Sequence, residues 1–237
     1  MRSPAIQSSR SIRTYLLVVA VALDLPLVAV TVHNVVQDLQ TAQAQAQARL
    51  RGLSRTMADH TARRIGAARQ ARERLARRPL VQKLDASLCD PVLQDLYGLL
   101  PGFSNVVVTD LAGQVVCSVV AQPGGSRVDV GPTPWFSKFA RAKAFSVGQP
   151  LRGRITGKMV SVLSYPVLDV RGQMAGGVHL PLDLHAFDAG IYAQDLSNQS
   201  RFGLFDGDGY MIWRNSDPES VIGKRPNAEA ARRIVAV

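Results

Sequence analysis

The sequence predicts an α+β chain led by a membrane-spanning helix, and three observations predict it. Residues 15–36 form an apolar run, and residues 37–78 lack proline and place small or apolar side chains every three to four positions. The remainder carries β-branched runs in pairs, each pair separated by an Asp-x-x-Gly turn. In order these features read as a span, a long helix and antiparallel hairpins.

The apolar run begins at Tyr15 and ends at Val36. About 20 such residues suffice for a helix to cross a hydrocarbon core of ~30 Å. Arg2, Arg10 and Arg13 precede it and no Lys or Arg follows before Arg49, so residues 1–14 are expected in the cytoplasm and everything from Gln37 onward outside. Asp24 and Pro26 oppose this reading, because a carboxylate near the centre of a span costs roughly 2.5 to 3.5 kcal/mol. The flanking Leu and Val residues offset that cost. A cleaved signal peptide is the alternative, since Ala42, Gln43 and Ala44 have the small-x-small pattern of a cleavage site, but they lie far beyond the short apolar core of such peptides.

The chain is basic, with 28 Lys and Arg against 18 Asp and Glu, a formal charge of +10 and a pI near 10.3. That balance ordinarily suggests nucleic acid or anionic lipid. Here most of the excess lies between Arg49 and Arg78, where Asp59 and Glu73 are the only acids. In an exported helix this is a solvated face, so no nucleic-acid partner is expected. An exported basic scaffold or a nucleic-acid-binding protein is the rival reading.

Leu39, Ala42, Ala46, Leu50, Leu53, Met57, Thr61, Ile65, Ala68, Ala71 and Leu75 make one lean stripe along the long helix, which Pro79 ends. A shorter helix is expected at 91–100. Strand pairs are expected at 105–109 with 114–120, at 159–168 with 173–182, and at 201–205 with 210–214. Their turns begin at Asp110, Asp169 and Asp206 and end at Gly113, Gly172 and Gly209. Asp in such a turn bonds its own backbone, and Gly takes the positive φ. A helix is expected at 185–196. The third hairpin opens a second module near Ser200, with another helix from Asn227. No second apolar span follows, so that module is expected to be incomplete and any output domain to lie elsewhere.

The two cysteines, Cys89 and Cys117, suggest a bridge if the domain is exported; two unrelated buried thiols are the alternative for a cytosolic chain. No catalytic or metal signature is present, and no cofactor is expected: His33, His60, His179 and His185 lack ligand spacing, and there is no nucleophile elbow, P-loop or zinc-protease motif. Asp206 and Asp208 lack the ligand series and closing Glu of a calcium loop.

What remains is Pro132, Thr133, Pro134, Trp135 and Phe136 heading a short amphipathic helix, then Val147, Gly148 and Pro150, then Arg152, Gly153, Arg154 and Gly157. The strand containing Tyr165, Pro166 and Val167 follows, with its turn at Asp169 and Gly172. In this order these residues resemble the Cache family, the extracytoplasmic PAS-like ligand-sensing domains of bacterial receptors. The long helix, the paired cysteines and the Leu204-Phe205-Asp206 opening of a second module are similar to the double Cache version. The resemblance implies a PAS-like antiparallel-sheet domain at 79–196, distal to the membrane. It covers residues 37–237 and implies a long signalling helix at 37–78 and a membrane-proximal module at 197–237, which follow the span read at 15–36.

It also implies a non-enzymatic sensor in the inner membrane with its domain in the periplasm, acting as a homodimer on a small molecule such as an organic anion. A diguanylate cyclase, histidine kinase or chemotaxis module would provide the output. Amino-acid-binding members place an arginine two residues before the tryptophan, where this chain has Thr133, so an ordinary amino-acid ligand is not expected. Trp135 and Phe136 match the family in type. Read from their chemistry alone, Trp135 offers a flat apolar wall, Arg152 and Arg154 offer forked donors to a carboxylate or phosphate, and Tyr165 and Asp183 complete a polar set. Each has a structural alternative: Trp135 as core, the arginines as solvated loop residues, and Asp183 as the cap of a helix at His185.

Overall fold

The computed structural model describes residues 12–190 and 200–226, which divide into two compact units, Met1–Arg55 and Thr56–Val237. Helix α1 runs over Ile12–Ala76, and the described part of the first unit is helix throughout. Among the described residues it is the one helix long and apolar enough to cross a membrane. Its apolar side chains from Tyr15 to Val36 are exposed, and Pro26 lies inside it.

In the second unit α1 ends just before Pro79, which opens α2 (Pro79–Gln82), and α3 follows at Val92–Leu99. Strands β1 (Val107–Asp110) and β2 (Val115–Ser118) precede α4 (Pro134–Ala142). Then come β3 (Ser146–Val147), β4 (Leu151–Arg152), β5 (Met159–Leu168) and β6 (Met174–Asp183). These six strands form one antiparallel sheet in the order β2-β1-β6-β5-β3, with β4 also pairing β5. A second, two-stranded sheet joins β7 (Gly203–Phe205) to β8 (Met211–Arg214), and α5 is a single turn at Pro218–Val221.

The three Asp-x-x-Gly turns are built alike, which is why the hairpins were legible from spacing. Asp110 Oδ1 accepts the N–H groups of Ala112 and Gln114, Asp169 Oδ1 those of Arg171 and Gln173, and Asp206 Oδ1 those of Asp208 and Tyr210, all at 2.8–3.0 Å. At the first turn Gly113 has φ +88°, and a Cβ there would strike the backbone of Gly131, so both conformation and space require glycine.

The expected helix at 185–196 is corrected over its first part: residues 185–190 are bends and irregular chain, and 191–199 lie outside the described residues. Asp183 does accept the N–H groups of His185 (3.1 Å) and Ala186 (3.2 Å) as a cap would, but it closes an isolated turn. The helix expected from Asn227 also lies outside the described residues.

Strand alternation divides the core between the two faces of the large sheet. Leu163, Val167, Val178, Leu180 and Leu182 meet the Met57–Ala76 part of α1, together with Val81 and Leu93. Val107, Val160 and Val162 face the other way, toward Trp135, Phe136 and Phe139 of α4. A disulfide joins Cys89, just before α3, to Cys117 of β2.

One residue of the first core departs from its surroundings. Arg72 of α1 is fully buried, with Nε donating to the Ala68 carbonyl (2.8 Å) and the guanidinium 4.7 Å from the Phe145 ring centroid. Among the described residues its Nη1 and Nη2 have no hydrogen-bond partner. Burial, with the charge of Arg69 behind it, lowers its pKa to about 10. Unsatisfied buried charge is costly, whereas an apolar side chain of similar length fills the same space. Arg72→Met is therefore expected to stabilise the folded chain by about 1 to 3 kcal/mol, read as a higher urea midpoint in detergent. A lower midpoint would mean that the guanidinium is paired in the folded protein.

Candidate ligand site

The site is built on the sheet face that α4 covers. Pro134 sits in the first turn of α4, where its missing N–H costs nothing, and Trp135, Phe136 and Phe139 lie on one buried face. Thr133, just before the helix, is buried and donates its hydroxyl to the Val130 carbonyl at 2.6 Å. It is a turn residue and does not line the cavity that Trp135 walls.

Opposite α4 stands His179 of β6, fully buried. Its Nε2 is 2.9 Å from Thr109 Oγ1 and its Nδ1 2.9 Å from Ser164 Oγ. Trp135, Phe139 and Phe136 surround the ring at centroid distances of 4.9, 5.1 and 6.1 Å. Burial, then the charge of Arg72, lowers the His179 pKa to about 3, so the imidazole is neutral. Gly177, two positions earlier, gives the rings room: a Cβ there would lie 2.7 Å from the rings of both Phe139 and His179.

Between α4, the sheet and the segment after β4 lies a cavity of about 40 Å³. Its walls include Val107, Trp135, Val160, Val162 and His179, and Gly153, Arg154, Ile155 and Thr156 lie across its mouth. Arg154 is exposed, and one of its guanidinium nitrogens donates to the Asp129 carbonyl at 2.7 Å, which holds the group in place.

Of the side chains singled out in the sequence, the structure brings Trp135 and Arg154 together here. Phe136 stands behind Trp135 in the same core cluster and does not line the cavity. Arg152 and Asp183 do not join them. They line a separate, open cleft of about 540 Å³ with Lys158, His185 and Glu219. There Lys158 Nζ donates to Asp183 Oδ2 at 2.7 Å, and Arg152 donates to the Gly157 carbonyl at 3.1 Å. Burial pushes the Asp183 carboxyl up, but Lys158 and the N–H groups of Ala186 and His185 outweigh it and hold the pKa below its usual value. Tyr165 lies on the opposite face of the sheet, against the α1 core, because odd positions of β5 point away from the cavity.

His179 was not singled out in the sequence as a site residue. The available signal was a lone imidazole in an otherwise apolar strand. Among the described residues no cluster of His, Cys, Asp or Glu suited to a metal ion is present.

No protein-family model matches the sequence, and no curated protein is significantly similar to it. Solved structures are similar in fold. An extracellular ligand-binding receptor from Desulfohalobium retbaense superposes with a TM-score of 0.60 at 19% identity, over 78% of this chain and 34% of the receptor, so this chain spans about a third of that protein's length. The extracellular domain of rpHK1S-Z16, assigned to a histidine kinase, superposes with a TM-score of 0.65 at 19% identity, over 82% of this chain and 80% of that one. The ligand-binding domain of the Pseudomonas fluorescens chemoreceptor CtaA, solved with L-isoleucine, gives 0.54 at 16% identity, over 71% and 67%. The six-stranded antiparallel sheet, its covering helix α4 and the long helix α1 therefore share the fold of these extracellular domains, the PAS-like antiparallel-sheet architecture expected from the sequence.

Proposed function

We propose that this chain is the extracytoplasmic small-molecule-sensing part of a bacterial membrane signalling receptor, anchored in the inner membrane by the Tyr15-to-Val36 part of α1. The observation that carries the reading is the Trp135–His179–Arg154 cavity, an apolar pocket with one cation at its mouth, on a fold shared with extracellular ligand-binding domains. The Cys89–Cys117 bridge supports an oxidising compartment, since structural disulfides are rare in the cytosol. The arginines before the apolar run support the same topology.

On this reading the domain has no catalytic role and no nucleic-acid partner. Its ligand is an organic anion, bound through Trp135 and Arg154. The receptor is a homodimer, and ligand binding shifts the populations of two arrangements of α1, which a cyclase, kinase or chemotaxis output reads.

The test is a thermal-shift screen of the full chain in nanodiscs against a library of small metabolites, run beside Ile155→Trp, whose indole fills the cavity from the loop side. The reading expects at least one compound to raise the melting temperature of the wild type by several degrees and to leave the variant unmoved. Equal shifts in both proteins, or none in either, would overturn it.

A further inference from the structure

The chemistry of the cavity walls narrows the ligand, given the reading of this cavity as the binding site. Most of the polar atoms that reach it are already engaged. Both nitrogens of His179 are taken by Thr109 and Ser164. Asn105 accepts the N–H groups of Val106 (2.8 Å) and Val120 (3.0 Å) and donates to Ser118 Oγ (2.8 Å). The inner part therefore offers aliphatic and aromatic carbon. At the mouth stand the Thr156 hydroxyl and the guanidinium of Arg154, which spends one of its N–H groups on the Asp129 carbonyl and keeps a fork for an oxyanion.

What does not line the cavity matters equally. Among its lining residues there is one cation and no Asp or Glu. The nearby Asp129 carboxylate accepts the Gly131 N–H at 2.8 Å and is not part of the wall. An ammonium brought into this space would lose its hydration without gaining a counter-charge, and a second carboxylate would meet no second cation. The volume of about 40 Å³ leaves room for only about three water-sized groups.

We propose that the cavity takes a short-chain monocarboxylate without an amino group. Its carboxylate is held at the mouth by Arg154 and Thr156, and its short body, about two or three carbons, lies against Trp135, Val160 and Val162. This differs from an α-amino acid, which would need an acid for its ammonium, and from a dicarboxylate, which would need a second arginine or lysine.

The test is calorimetric titration of the full chain in neutral-lipid nanodiscs with four matched probes: propionate, L-alanine, malonate and 1-propanol. Propionate is expected to bind saturably, at least tenfold more tightly than the other three. Arg154→Gln, a change at an exposed loop position, should weaken propionate at least tenfold, and Ile155→Trp should abolish it, with circular dichroism melts confirming that both variants are folded. Binding of alanine or malonate as tight as propionate and sensitive to Ile155→Trp would overturn the ligand class and leave the sensor pocket standing. No Ile155→Trp-sensitive binding of any probe, together with a metabolite screen equally without one, would overturn both.

Discussion

Acidification from pH 7 to pH 4 is expected to cost the folded chain about 3 kcal/mol through His179 alone. Its pKa falls from 6.5 to about 3 in the fold because burial disfavours the imidazolium and Arg72 repels it. Below pH 6.5 the unfolded chain takes up a proton that the folded chain refuses until about pH 3. The stability contribution is thus complete above 6.5 and is lost as the pH falls through that window. Asp85, Asp90 and Asp183, whose pKa values are also lowered in the fold, add their losses only below the ordinary carboxylate range. The window from 6.5 to 4.5 therefore isolates the histidine among the groups shifted by folding. Urea midpoints of the wild type and His179→Gln, taken from pH 7 to 4.5, should converge as the pH falls. A constant difference between them would show that the buried imidazole is not the cause.

Opening the Cys89–Cys117 bridge is expected to cost a similar amount, about 3.5 kcal/mol for a loop of 28 residues in the chain-entropy account. The bridge ties the segment before α3 to the second strand of the sheet. Nearby, Arg78 donates to Asp90 at 2.6 Å, and that hydrogen bond overcomes burial to hold the Asp90 carboxyl below its usual range. The Cys89→Ala, Cys117→Ala double variant should unfold at a markedly lower urea concentration than the oxidised wild type, and reductant should move the wild type toward it. An unchanged midpoint after both thiols have been shown to be free would contradict this account.

Much of the fold was legible because its signals are local. An aspartate that satisfies its own turn and a glycine three positions after it place a hairpin without knowledge of the rest, and β5 is found at the expected residues 159–168. The site was legible only in part, for a reason visible in β5 itself. Its sequence, MVSVLSYPVL, is apolar on both sides because both faces of the sheet are covered, so nothing in it tells which parity faces the cavity. Val160 and Val162 face it, and Tyr165 does not.

Arg152 closes β4 and Arg154 has the same parity two residues on, yet the turn at 153–157 sends one to each of two separate spaces. Arg72 shows a different limit. It lies four residues after Ala68 and three before Leu75, on the apolar stripe, but a charged residue there reads as part of a solvated face until the packing is known. Asp183 was legible as a backbone acceptor, though residues 185–190 after it are not helical.

The most direct measurement is hydrogen–deuterium exchange of the full chain in nanodiscs, with and without a compound that passes the thermal-shift screen. Ligand-induced protection is predicted at residues 130–136, 153–156 and 177–181, the backbone that surrounds the cavity. Protection confined to residues 183–186 and 219–222, with none at 130–136, would place the ligand in the open cleft instead and contradict the assignment of Trp135, His179 and Arg154 as the sensing site.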